Sequence, residues 1–156
     1  MKESACFVLY HRTPAGILRL CADEQGICGV SFVQREEPGG TGSELLQRAA
    51  RELDEYFAGQ RRDFELPLSL HGTSFQMQVW AALRRIPYGE TRSYAEVAAM
   101  VGNPHACRAV GMANHRNPVS ILVPCHRVIN ANGSLGGYGG GTDKKRFLLR
   151  LEGVSF

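Results

Sequence analysis

At Thr73 the spacing of apolar residues changes, and this change constrains the fold more than any other feature of the chain. Before it, apolar residues come in short runs, Cys6 to Tyr10, Ile17 to Cys21 and Ile27 to Val33, punctuated by Pro14-Ala15-Gly16 and Glu24-Gln25-Gly26. Runs of that length bounded by turn formers read as strands of a small sheet. Beyond the loop Pro38-Gly39-Gly40-Thr41-Gly42, Ser43 can cap a helix on which Leu45, Leu46, Ala49, Leu53, Tyr56 and Phe57 recur at helical spacing. That helix is expected to cover one face of the sheet. Phe64 to Leu70 reads as one more strand, confined to an edge by Pro67.

After Thr73 the period is helical. Phe75, Val79, Leu83 and Ile86 form a stripe that Pro87-Tyr88-Gly89 ends. The chain is therefore expected to form an α/β domain over 1–72, an antiparallel sheet with a helix, and a mainly α domain over 73–156. Charge divides at the same place, −3 over the first segment and +6 over the second. A basic domain suits a polyanion, although an uneven solvated surface has the same signature.

Within the second segment, Ser93-Tyr94-Ala95-Glu96 is a capping box opening a helix through Val101. Gly102 turns the chain, Asn103 can cap, and Pro104 suits the first position of a second helix reaching about Asn114. Two short helices with a glycine turn between them have the shape of a helix-turn-helix, and equally of an ordinary helical hairpin. On the second helix Ala106, Ala109, Val110 and Ala113 can pack inward, while Arg108, Gly111 and Met112 share the other face. Small side chains there allow close approach to another surface, a nucleic-acid groove among the candidates.

Pro124-Cys125-His126-Arg127-Val128 follows the apolar run Val119 to Val123, which reads as a buried extended segment delivering Cys125 to a stiff turn. A nucleophilic cysteine reacts as its thiolate and needs a cation, base or amide dipoles nearby; His126 and Arg127 supply two of these. On extended backbone neighbouring side chains diverge, so Cys125 and His126 communicate through a turn or a water. Asn130-Ala131-Asn132-Gly133 marks a turn, and the glycines of 136–141 let backbone approach a ligand around Tyr138. No phosphate-loop or dinucleotide spacing accompanies them. Thr142 or Asp143 can cap a last helix with the stripe Phe147, Leu148 and Leu151. Glu152 at its end opposes the helix dipole, which suggests a partner, and His126 is the histidine nearest the thiol.

From Phe75 through Glu152, with Asn117-Pro118-Val119, Pro124-Cys125-His126-Arg127-Val128 and Gly136-Gly137-Tyr138 in order, the chain resembles the O6-alkylguanine-DNA alkyltransferases; Thr13 to Gly16 resembles their N-terminal domain more loosely. The resemblance implies a ribonuclease-H-like first domain and a winged-helix-like second one with a helix-turn-helix. It implies DNA repair by irreversible, single-use transfer of an alkyl group from O6-alkylguanine, and also O4-alkylthymine, in double-stranded DNA. Cys125 is then the acceptor, with His126, through a water, and Glu152 behind it deprotonating the thiol. Asn117 orients backbone; Tyr94 rotates the nucleotide out and protonates the departing guanine; Arg108 fills the vacated stack. The second helix, with Ala106 and Gly111, lies in the minor groove. Tyr138 and Gly139 shape the base pocket, and the carbonyl of Val123 reads the guanine amino group.

No cofactor is required, because the thioether product is a dead end. No metal is expected either: some relatives hold zinc in the first domain, but Cys6 and Cys28 lack histidine partners in place. Five cysteines without a CxxC pair suit reduced thiols, and no run approaches membrane-spanning length, so a cytoplasmic monomer is expected. Cys107, next to Arg108, reads as a small buried residue. The competing readings are a lesion-sensing binder of the alkyltransferase-like type, which commonly carries tryptophan where Cys125 stands, a helix-turn-helix transcription factor, and a cysteine hydrolase that turns over.

Overall fold

A computed structural model describes residues 6–155. It divides into two compact units, Met1–Leu70 and His71–Phe156, two residues short of the break expected at 72.

In the first unit β1 (Phe7–Thr13), β2 (Gly16–Ala22) and β3 (Ile27–Val33) form an antiparallel sheet in the order β1-β2-β3. The register sets Thr13 opposite Gly16, so Pro14-Ala15 alone make the hairpin loop. Helix α1 (Glu44–Phe57) starts where Ser43 Oγ accepts from the amide of Leu46 at 3.2 Å. Its Leu46, Ala49, Leu53 and Tyr56 are buried, as are Leu18 and Leu20 of β2, and these side chains make the core of the unit. The strand expected over 64–70 does not form. Pro67 has no amide to donate, and only one bridge joins Leu68 to Ile27, with the amide of Ile27 on the carbonyl of Pro67 at 2.8 Å. That approach is close enough that a Cβ at Gly26 would fall 2.5 Å from the Pro67 oxygen, so glycine is required there.

The second unit is mainly helical. Helix α2 (Ser74–Leu83) carries a full capping box at Thr73 and Gln76. Helix α3 (Tyr94–Met100) carries the expected one at Ser93 and Glu96, both of its bonds present. Helix α4 (Cys107–His115) begins later than expected: its cap is Ala106, without a side-chain bond, and Asn103 instead closes a turn by accepting from the amide of Ala106 at 3.0 Å. Pro104 therefore lies in the inter-helix turn. Val110 and Ala113 pack inward, but Ala109 is exposed. The indole of Trp80 on α2 donates to the carbonyl of Ala113 at 2.9 Å and fixes α4 to the core.

Two short strands that the apolar pattern did not indicate, β4 (Arg92–Ser93) and β5 (Val128–Ile129), pair in parallel and bring the start of α3 beside the chain leaving Arg127. Helix α5 (Thr142–Leu151) is capped by Gly141 at φ 102°, not by Thr142 or Asp143. Its buried residues are Lys145, Leu148 and Leu149; Phe147 is 37% exposed, so the inner face is turned from the stripe expected. No helix of the described residues is long and apolar enough to cross a membrane.

Candidate active site

Residues 119–123 are buried nearly throughout but not extended. Ile121 is the one non-glycine residue with positive φ among those described, at 73°, and the amide of Leu122 reaches back to the carbonyl of Ser120 at 2.8 Å. Together these make a γ-turn of the rare positive-φ kind, unfavourable for a β-branched residue. A second, inverse γ-turn follows at Pro124 (φ −81°, ψ 65°), closed by the amide of Cys125 on the carbonyl of Val123 at 2.8 Å. Cys125 to Arg127 then form a single 3-10 turn. Backbone strain in such a place persists only where the surroundings over-determine it, and here it aims one cysteine.

Asn117 holds the double turn together. Its Nδ2 donates to the carbonyl of Val123 at 2.8 Å and its Oδ1 accepts from the amide of Val119 at 3.0 Å. The Val123 carbonyl thus accepts two bonds, from Asn117 and from Cys125.

Cys125 is buried, and burial pushes its thiol above the ordinary range; the Asn117 side chain and the Lys145 ammonium act against that without reversing it. The resting group is a thiol. Arg127, expected to help lower it, faces elsewhere: its Nε and Nη2 grip the two carboxylate oxygens of Glu152 at 2.8 and 3.0 Å, and its Nη1 donates to the carbonyl of Ile86 at 2.7 Å. Glu152 Oε2 lies 2.7 Å from His126 Nε2, and Oε1 accepts from the amide of Gly89 at 3.2 Å. Burial works against the Glu152 charge, but the bonds from His126 and Arg127 outweigh it and hold the carboxyl well below its usual range. His126 is fully buried, and burial lowers its pKa despite the pull of Glu152. The outcome is a neutral imidazole with its proton on Nε2, facing the carboxylate. Nδ1, buried and without a hydrogen-bond partner, is left as a free base.

Cys125 opens onto a cavity of about 240 Å³. Of the residues singled out from the sequence, Tyr94, Gly111, Asn117, Tyr138 and Gly139 line it with the thiol. His126 and Glu152 are buried and are not among the residues lining the cavity. Arg108 is exposed and borders a separate depression with Gly111 and Met112; Ala106 is half-buried at the cap of α4. Cys107 is exposed, contrary to the buried role expected for it. The Tyr94 hydroxyl would lie 3.1 Å from a Cβ at Gly136, so the glycine run makes room for the ring. Burial, then the nearby thiol, raises the Tyr94 pKa and keeps the phenol protonated. Burial does the same to Tyr138 more strongly.

Four residues at or beside the cavity escape sequence reading. Asn114, His115 and Ser120 also line the cavity; with Gly111, Asn114 and His115 form an i, i+3, i+4 stripe of α4 that periodicity could have found. Lys145 is fully buried on α5 and donates to the carbonyls of Val128 at 2.6 Å and Gly137 at 3.1 Å, tying the glycine-rich wall to the strand after the thiol. Burial lowers its pKa to about 8. Among the described residues no three His, Cys, Asp or Glu side chains converge as metal ligands would.

Comparison with known proteins places both units. Residues 8–70 match the pattern described as 6-O-methylguanine DNA methyltransferase, ribonuclease-like domain, and residues 74–154 match its DNA binding domain. A methylated-DNA–protein-cysteine methyltransferase of Methanosarcina acetivorans is 50% identical over 147 residues, covering 90% of this chain and 94% of the relative. The constitutive enzyme of that name from Bacillus subtilis is 59% identical over 112 residues, 71% of this chain and 68% of its own. The crystal structure of Mycobacterium tuberculosis O6-methylguanine methyltransferase superposes with a TM-score of 0.86 at 45% identity over 95% of this chain and 93% of that one. The structure of Mycobacterium tuberculosis OGT in complex with DNA gives 0.84 at 44% identity over 94% and 91%.

Proposed function

The chain belongs to the 6-O-methylguanine DNA methyltransferase family, and on that premise we propose that it repairs DNA by moving the alkyl group of O6-alkylguanine onto Cys125. The observation that carries the assignment to Cys125 is its seat: the one thiol on the cavity, with a neutral histidine beside it whose far nitrogen is held by an ionised carboxylate.

The chemistry follows from the protonation states. His126 Nδ1, through a bridging water, takes the thiol proton, and the imidazolium formed is stabilised by Glu152, which Arg127 keeps ionised. The sulfur electron pair attacks the alkyl carbon, the carbon–O6 bond breaks, and its pair passes to the guanine, which Tyr94 protonates. The product is a thioether that no neighbouring group can hydrolyse, so each molecule acts once. A buried thiol fits this sequence: it is unreactive until a substrate occupies the cavity and its proton can be drawn off.

The lesion reaches Cys125 only if the nucleotide leaves the stack, at a cost of a few kcal/mol. Tyr94 rotates it, Arg108 enters the gap, and Tyr138 and Gly139 enclose the base. Helix α4 meets the minor groove through its exposed face, where the half-buried Ala106 and Gly111 keep backbone close to the duplex. The protein works as a monomer, since one chain carries every group named. It works in a reducing cytoplasm, in keeping with its five free cysteines.

Intact-mass measurement after incubation with a duplex containing O6-methylguanine tests the reading. One methyl per protein, mapped to Cys125 and absent from Cys125→Ser, is expected. Protein that binds the duplex and stays unmodified would make it a lesion-sensing binder instead, and repeated turnover would make it a hydrolase.

A further inference from the structure

Helix α5 carries a charged feature that the reaction does not use. Thr142, Arg146 and Arg150 follow one another at intervals of four residues, so a single exposed row runs along the helix. Four residues rise about 6 Å along a helix axis, close to the separation of neighbouring phosphates on one nucleic-acid strand. The row forms one wall of a shallow groove whose other wall is the turn Gly133-Ser134-Leu135-Gly136. Among the described residues no carboxylate lines that groove. Asp143, the nearest acid in sequence, borders a separate depression with Phe147 and Leu151, and its carboxylate lies 3.8 Å from the Lys144 ammonium.

The same turn leads directly into Gly137 and Gly139, which line the cavity of Cys125. Lys145 joins the two walls, since it points inward from α5 and donates to the carbonyl of Gly137 at 3.1 Å. The groove is therefore fixed beside the reactive cavity, and a strand whose nucleotide enters that cavity passes close to it. Guanidinium groups match phosphate in shape and charge, and two of them one helical turn apart suit two successive phosphates better than a single anion.

We propose that Thr142, Arg146 and Arg150 bind successive phosphates of the duplex that α4 engages, as a second phosphate track beside the reactive cavity. This rests on the DNA-binding reading above. The row supplies affinity and takes no part in the transfer itself.

Fluorescence anisotropy of an undamaged duplex, titrated with the full chain over a range of salt, tests the proposal. The double variant Arg146→Gln, Arg150→Gln should bind more weakly than the wild type. Its plot of log affinity against log salt should be shallower by about 0.9 for each of two phosphates. Thr142→Asp sets a carboxylate in the row at a helix start that favours one, so it should keep the fold and still weaken binding. At saturating O6-methylguanine duplex both variants should transfer at the wild-type single-turnover rate, with only the half-saturating concentration raised. An unchanged salt slope in the double variant, or unchanged affinity in Thr142→Asp, would overturn the proposal. A fall in the saturating rate would overturn it too, by placing the row in the transfer step. Wild-type protein without affinity for the duplex would instead sink the DNA-binding reading.

Discussion

Cys125 and His126 are adjacent in sequence, yet their relation is set by two γ-turns and a carboxylate 26 residues further on. The thiol rests protonated and the imidazole rests neutral, so the reactive arrangement is competent wherever His126 remains unprotonated. Burial holds His126 below its ordinary 6.5. A base with a depressed pKa is fully available above the ordinary value and is lost only as pH falls through the lowered one. Single-turnover transfer is therefore expected to keep its rate from neutrality down to pH 6.5 and to decline only in more acid solution; an acid limb centred above 6.5 would contradict the assignment. At this scale much was legible. The thiol, its histidine and the need of Glu152 for a partner could all be read, because a carboxylate at a helix C-terminus is locally unfavourable. The grip of Arg127 on Glu152 could not, since its direction depends on the 3-10 turn.

Among the elements, the starts of helices with a side-chain cap were legible and the starts of those without were not. Ser43 with the amide of Leu46 and Ser93 with Glu96 close local rings whose partners are three residues apart, so their sequences suffice; the box at Thr73 and Gln76 is of the same kind but was not among the caps expected. Helices α4 and α5 start on Ala106 and Gly141 without side-chain bonds, and their starts moved from the expected positions. Helix α5 also turns its lysine inward. Lys145 is held at about 8 by burial, against 10.5 for an ordinary lysine. Between those values the unfolded chain binds a proton that the folded chain does not, so stability rises with pH across that window. The gain approaches about 3 kcal/mol at its upper end, and below pH 8 the cost of burying the charge is constant. Urea unfolding at pH 8 and pH 10 should show this rise in the wild type and its loss in Lys145→Met. A variant with an unchanged pH slope would place the ammonium in solvent.

For the molecule as a whole, the charge division found at Thr73 has a measurable consequence. The segment from 73 onward carries +6 and includes α4 with its exposed Arg108. If that unit meets DNA through phosphates, affinity for an undamaged duplex must fall steeply with salt, the logarithm declining by about 0.9 per phosphate neutralised. Fluorescence anisotropy titrations from low to physiological salt should give a slope of at least two phosphates. A flat dependence would exclude this docking.

The sequence by itself determined β1 to β3 of the first unit and the side-chain-capped helices, and it singled out Cys125 as a candidate nucleophile, because these follow from periodicity, local capping and the chemistry of one motif. Only the tertiary structure decided which groups surround that thiol. Asn114, Lys145 and Arg127 come from a helix, a second helix and a turn, and their partners are backbone carbonyls and a carboxylate distant along the chain. Whether a buried polar atom is satisfied depends on distances that folding creates, and no spacing along a chain records them.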